Sequence, residues 1–280
     1  MPVVMTPELW SRTWPHVTVV MPCYNGGKYL AEAIQSVLDQ DYPYIKILVV
    51  DDASTDNSRE IVAEFAAKHS GKISIVPLEQ NGGPCNAVEV GYKAAFSYYT
   101  AMLAADDMYL DPRHISQQVV KMEATGADWC YNTMSFVGET PETAEPMAAK
   151  WLVHYLLDNS FLHFPGFCLI LSAVRNPVNS SSMMIRQQAF VDNNLTWGPN
   201  LRSACDGLII AKMLRLGLKG IALNNASVFY RSHANQVSKT TTHSHAVTGL
   251  QNKILNCHYS SVWLMMMAWV MRKYVGMNRK

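Results

Sequence analysis

Four short apolar runs, each leading into a polar loop and then a segment of helical period, constrain this chain more than any other feature. Val17–Pro22, Tyr44–Val50, Lys72–Pro77 and Tyr99–Ala104 read as strands. Between the first two, Leu30, Ala33, Ile34, Val37 and Leu38 recur at helical spacing, and after the second Ile61, Val62, Phe65 and Ala66 do the same. After the third run, the small residues Ala87, Gly91, Ala94 and Ala95 predict a helix packed closely on the sheet. Asp111-Pro112 reads as an N-cap followed by proline at the first helical position, opening a helix to about Thr125. Residues 127–132 supply a further strand. This βαβαβαβ alternation predicts an α/β fold with a mainly parallel sheet covered on both faces.

Open sheets of this kind hold ligands at the C-terminal edge of their strands. The second run ends in Asp51-Asp52, and the fourth ends in Asp106-Asp107. Two acids at a strand end can grip a divalent cation and, through it, a phosphate. An isolated pair is equally at home in a turn or an N-cap, and the rest of the chain tips the balance toward the ligand. Asp52, closing an early strand, is well placed to accept hydrogen bonds from a ribose or a base. Ser54 and Asp56 read as N-caps. The Cys23–Gly27 loop and the Asn81–Asn86 loop are glycine-bearing. Gly26 and Gly27 leave backbone N–H groups at a helix N-terminus, where anions are favoured. Neither loop carries a G-x-G-x-x-G fingerprint, and Tyr29 after Lys28 rules out a Walker A loop.

A polar, proline-bearing stretch over 138–149 marks the border of a second half. There, Trp151–Leu157 reads as a helix, Ser182–Arg186 as a strand, and Val228–His233 as a strand entering a polar segment. Asp206 lies near the start of a helix carrying Leu208, Ile209, Met213 and Leu216. Boundaries follow at 1–245 for the main domain, divided into 17–137 and 138–245, with a helical tail over 246–280. In the tail, Val262–Met271 is apolar all round, with Arg272 and Lys273 behind it. Two readings stand for it: a buried or homodimer-forming helix, or a peripheral helix on a membrane surface.

The chain is 49% hydrophobic and 16% charged, which suffices for a sizeable core. Its net charge of +1, with no run of like charges, argues against nucleic acid as a partner. Six cysteines without C-x-x-C spacing argue against structural zinc and fit a reducing, cytoplasmic compartment. The N-terminus lacks the order of a signal peptide, and no apolar stretch reaches the ~20 residues of a membrane span.

Four segments then occur in order: VTVVMPCYN over 17–25, VVDDASTD over 49–56, Asn81-Gly82-Gly83, and LAADD over 103–107. Together they resemble the inverting family 2 glycosyltransferases. The resemblance implies a GT-A fold: a Rossmann-like, mainly parallel mixed sheet flanked by helices, with a smaller acceptor-side half. It implies that Pro22, Tyr24, Asn25, Asp52, Asn81 and Gly82 cradle the nucleotide, usually a uridine diphosphate, with Asp106 on its ribose. It implies Asp107 and His233 as ligands of Mn²⁺ or Mg²⁺, and Asp206 as the general base. Two departures stand out. Ala104 occupies the first acidic position of the family's Asp-x-Asp-Asp form, and Cys205 replaces the acid that usually precedes the base.

The implied reaction moves one sugar from a nucleotide-sugar donor to a hydroxyl of a glycan or lipid-linked acceptor. Metal charge eases departure of the diphosphate, and a carboxylate takes the hydroxyl proton. His233 suits a ligand or a proton donor. The rival readings are a nucleotide-sugar-binding protein without turnover, kept open by Ala104 and Cys205, and, further off, a nucleotidyltransferase. The missing dinucleotide fingerprint disfavours a dehydrogenase.

Overall fold

The structure is a computed structural model that describes residues 14–146 and 178–234, together with 236 and 239. The helix expected at 151–157 and the apolar tail both lie outside the described residues.

Strand β1 (Val17–Cys23) sits between β2 (Ile45–Asp51) and β4 (Tyr99–Met102), parallel to both, and β3 (Ile73–Pro77) extends the parallel set beyond β2. Helices α1 (Leu30–Leu38), α2 (Ser58–Lys68) and α3 (Pro84–Ala94) are the crossovers. Pro22 does not end β1; it pairs in register with Val50, and the strand runs one residue further. After β4 the chain makes the short β5 (Met108–Tyr109) and α4 (His114–Thr125). Arg113, not Asp111, is the N-cap of α4, because Asp111 turns its carboxylate to the Arg113 N–H and guanidinium.

β6 (Trp129–Gly138) is longer than the expected strand over 127–132, and it folds back through a 3₁₀ turn at Pro141–Thr143 onto β7 (Glu145–Pro146). The polar stretch over 138–149 therefore begins as the tip of a hairpin. The second half adds β8 (Met184–Arg186), α5 (Gln187–Asp192), α6 (Cys205–Arg215) and β9 (Gly220–Arg231). All of it joins one nine-stranded sheet of order β3-β2-β1-β4-β8-β6-β9-β5, with β7 beside β6. β8 runs antiparallel to β4 and β6, whereas β9 runs parallel to β6.

Alternation along β1 explains the two-sided core. Val20 packs with Val88 and Tyr92 of α3 and with Ile209 and Met213 of α6. Val17, Val19 and Met21 pack with Leu30 and Ile34 of α1 and Ile115 of α4. Each fully buried side chain of this size contributes about 1.5–3 kcal/mol. The small residues of α3 serve the close approach expected of them. A Cβ on Gly91 would lie 2.3 Å from Val20 Cγ1.

The strand order reverses at β1–β4, the switch point where open α/β sheets form their crevice. Cys23 and the loop after Met102 both end there. Among the described residues no helix is long and apolar enough to cross a membrane.

Candidate active site

The loop after β1 is held by the loop after β2. The Asn25 N–H donates to Ser54 Oγ at 2.9 Å, and Asn25 Oδ1 accepts from the Thr55 N–H at 2.8 Å. The Gly26 N–H donates to Ser58 Oγ, and the Gly27 N–H to Asp56 Oδ2. These two N–H groups are therefore taken by protein acceptors, contrary to the expectation that they stay accessible to an anion. Ser54 is a clasp rather than a helix cap, and Asp56 divides itself between Gly27 and Ser58. Tyr24 stands 53% exposed at the rim, where a planar base can lie against its ring.

Asp52 is buried, and its two oxygens accept the N–H groups of Gly82 and Gly83, each at 2.8 Å. Its direct role is to shape the Asn81–Gly83 loop. Asn81 itself is exposed on that loop. Asp51 is likewise buried and takes Arg59 Nε at 2.5 Å.

The loop after β4 carries the second acid pair. Asp107 is 2% exposed. One oxygen accepts from Ser181 Oγ and the other from the Arg231 N–H at 3.0 Å. Burial, with the charge of Asp106 beside it, holds the Asp107 carboxyl well above the usual carboxylate range; Ser181 and Arg231 oppose the rise. Each oxygen thus holds one protein donor, which ties the acid loop to the Ser180–Ser182 turn and to the end of β9. Asp106 instead faces the open side, with its side chain 32% exposed. Asp106 Oδ2 lies 2.9 Å from His233 Nε2.

Arg231 frames this pair. It is buried and donates to the Asp106 carbonyl, the Glu139 carbonyl and the Glu32 carboxylate, while its guanidinium lies 4.4 Å from the Tyr29 ring. Tyr29 also approaches the His233 ring, at 5.3 Å between centroids. Three segments thus converge on the acid loop: the start of α1 by way of Arg231, the Ser180–Ser182 turn and the end of β9. Ser181, Glu32 and Tyr29 escaped the sequence reading. A run of three serines names no partner, and Glu32 reads as a favourable first-turn acid.

Asp206 lies in the first turn of α6, with Oδ1 accepting the Gly207 N–H at 2.8 Å. Ala204 before the helix has φ 63°, a left-handed conformation that costs an alanine strain. Arg202 reaches Gly83: a Cβ there would lie 3.6 Å from its Cδ. The segment leading into α6 therefore abuts the Asn81–Gly83 loop that Asp52 holds.

The sequence model of the family described as Glycosyl transferase family 2 matches residues 18–186. The chain belongs to that family. It is 27% identical over 227 residues to the putative teichuronic acid biosynthesis glycosyltransferase TuaG of Bacillus subtilis, spanning 80% of this chain and 82% of that one. It is 29% identical over 189 residues to the glycosyltransferase GlyG of Streptococcus pneumoniae, 59% of this chain and 60% of that one. In fold it matches TarS 1-349 of S. aureus in complex with UDP-GlcNAc, with TM-score 0.68, 19% identity, and 93% and 73% of the two chains covered. It also matches the mannosyltransferase PcManGT of Pyrobaculum calidifontis in complex with GDP-Man and Mn²⁺, with TM-score 0.62, 13% identity, and 96% and 77% covered. This family 2 glycosyltransferase thus has the GT-A fold, and its two acid pairs lie at the ends of the strands flanking β1.

Proposed function

We propose that this glycosyltransferase is an inverting, metal-dependent enzyme of the cytoplasm. It moves one sugar from a nucleoside-diphosphate donor, most simply a uridine one, to a hydroxyl of a carbohydrate or lipid-linked acceptor. The observation that carries this reading is the pairing of a part-exposed carboxylate, Asp106, with an imidazole, His233, at 2.9 Å on the open edge of the sheet. The UDP-GlcNAc of TarS and the GDP-Man and Mn²⁺ of PcManGT support the donor class.

The fit to a metal can be judged from the donor atoms. A carboxylate oxygen and an imidazole nitrogen suit Mn²⁺, and Mg²⁺ is served by the oxygen. Among the described residues no three His, Cys, Asp or Glu side chains cluster tightly enough to hold an ion. Asp106 and His233 would therefore supply two ligands, leaving the remaining positions to diphosphate oxygens and water. Bound there, the cation would neutralise charge on the departing diphosphate.

The chain's own residues do the rest. Asp107 and Arg231 fix the acid loop, Asp52 shapes the Asn81–Gly83 loop, and Tyr24 offers its ring to the base. Asp206 takes the proton of the acceptor hydroxyl as the new bond forms, help worth about 10²–10⁴-fold. One such base and no covalent intermediate give inversion at the anomeric carbon. The free thiols of Cys23, Cys85, Cys130 and Cys205 fit a reducing compartment.

The test is a thermal-shift panel of nucleoside diphosphates and nucleotide sugars with and without Mn²⁺, followed by turnover of any donor that binds. A ligand that binds only the native state raises apparent stability. The expected result is a metal-dependent shift for one nucleotide class, with product of opposite anomeric configuration. Binding without any turnover across a broad acceptor panel would favour a nucleotide-sugar-binding protein instead.

A further inference from the structure

His233 is the imidazole of the proposed metal site, yet hydrogen bonds do little to orient its ring. Nε2 meets Asp106 Oδ2 at 2.9 Å, and among the described residues no hydrogen bond takes up the other ring nitrogen. A metal-binding imidazole is ordinarily oriented through that second nitrogen, which donates to a carboxylate, a carbonyl or water. The backbone is fixed one residue earlier, where the Ser232 N–H donates to the Gly138 carbonyl at 2.7 Å, but this leaves the side chain free to turn about its own bonds. The contact that restrains it is another ring. Tyr29 stands 5.3 Å from the His233 ring between centroids, with the two planes inclined by 40°.

Tyr29 is itself well held. It is the residue that opens α1, with its N–H on the Gly26 carbonyl at 2.9 Å and its carbonyl accepting from the Ala33 N–H at 3.1 Å. Two cations lie against its ring, the Arg231 guanidinium at 4.4 Å and Lys28 Nζ at 4.8 Å. Arg231 cannot drift. The Asp106 and Glu139 carbonyls and the Glu32 carboxylate take its side-chain N–H groups, and the Phe229 ring lies 5.1 Å from it. A guanidinium fixed in this way pins the face of an aromatic ring. We propose that Tyr29 is a positioning residue for His233: its ring takes the place of the usual orienting hydrogen bond and sets the imidazole so that Nε2 faces Asp106. The inference rests on the proposed reading of Asp106 and His233 as metal ligands. It assigns the task to the ring face and gives the phenol oxygen no part in it. The loop after β1 would then serve both ends of the donor, with Tyr24 at the base and Tyr29 behind the ligand of the diphosphate's cation.

The experiment uses the full chain. Mn²⁺ is titrated in the presence of UDP, with free Mn²⁺ read by electron paramagnetic resonance, and UDP binding is measured alongside in EDTA. Tyr29→Leu removes the ring, and Tyr29→Phe keeps it. The expected result is a loss of about 10- to 100-fold in Mn²⁺ affinity for Tyr29→Leu, the cost typical of removing a ligand's orienting partner, and a change of no more than about twofold for Tyr29→Phe. UDP affinity in EDTA should match the parent in both variants. A second readout needs no metal. In histidine-ring spectra of the metal-free protein, the His233 resonance, identified by its loss in His233→Gln, should hold its position in Tyr29→Phe and move toward that of a solvent-exposed imidazole in Tyr29→Leu. Parental Mn²⁺ affinity in Tyr29→Leu would overturn the proposal. So would an equal fall in its UDP affinity in EDTA, which would mark the ring as merely structural. A parent that binds no Mn²⁺, or a His233→Gln variant that binds it as the parent does, would fail differently: it would remove His233 as a ligand, and with it the reading on which the positioning role rests.

Discussion

The ends of β2 and β4 carry the same two letters and use them differently. At the end of β2 both acids are buried and engaged: Asp51 by Arg59, Asp52 by the Gly82 and Gly83 N–H groups. At the end of β4 only Asp107 is spent this way, on Ser181 and Arg231, while Asp106 faces His233 on the open side. Three of the four carboxylates thus hold loops, and the fourth, Asp106, stands part-exposed beside His233. A carboxylate needs donors when it is buried, and the backbone N–H groups at the C-terminal edge of a parallel sheet supply them. An acid pair at a strand end is therefore as much a structural joint as a binding site.

The comparison can be broken most forcefully at Asp107. Asp107→Ala strips the acceptor from two buried donors and should lower stability by about 3 kcal/mol in urea unfolding. A loss below about 0.5 kcal/mol would mean that these hydrogen bonds do not hold the acid loop.

Acid should separate the two ends. His114 on α4 is fully buried, bonded through Nδ1 to Ser227 of β9 at 2.6 Å and stacked on Tyr109. Burial holds its pKa down at about 3, against an ordinary value of 6.5. A group so depressed contributes stability that is fully present above pH 6.5 and is lost as pH falls from there toward 3. The loss should reach about 2 kcal/mol by pH 5. His114→Gln should flatten that slope, and hydrogen exchange should loosen β9 before β2. An unchanged slope in the variant would remove His114 as the cause.

Asp52→Ala should cost about 1.5 kcal/mol, less than Asp107→Ala, because the Gly82 N–H is only part-buried and can turn to water. Nucleotide affinity should fall along with it, through the displaced loop. Asp106→Ala should leave stability within about 0.5 kcal/mol of the parent, as befits a part-exposed side chain. A stability loss as large as that of Asp107→Ala would erase the contrast between the two acids.

The fold of the first half was legible because the period of its apolar residues changes at each strand and helix, and the switch point follows from that order. The second half was harder because its strands are paired out of sequence. β8 is three residues long and takes its place from antiparallel neighbours 50 or more residues away. The acid pairs were legible as features of strand ends, but not the different partners they take. Which oxygen of Asp107 meets Ser181, or which glycines close over Asp52, depends on contacts between segments that no local pattern encodes.

The measurement that tests the account most directly is calorimetric titration of UDP, with and without Mn²⁺, into the parent protein and Asp106→Ala. The account predicts metal-dependent binding in the parent and loss of the Mn²⁺-dependent part in the folded variant, a drop of at least about tenfold in affinity, or ~1.4 kcal/mol. Full Mn²⁺-dependent binding by Asp106→Ala would contradict it and move the metal to another carboxylate.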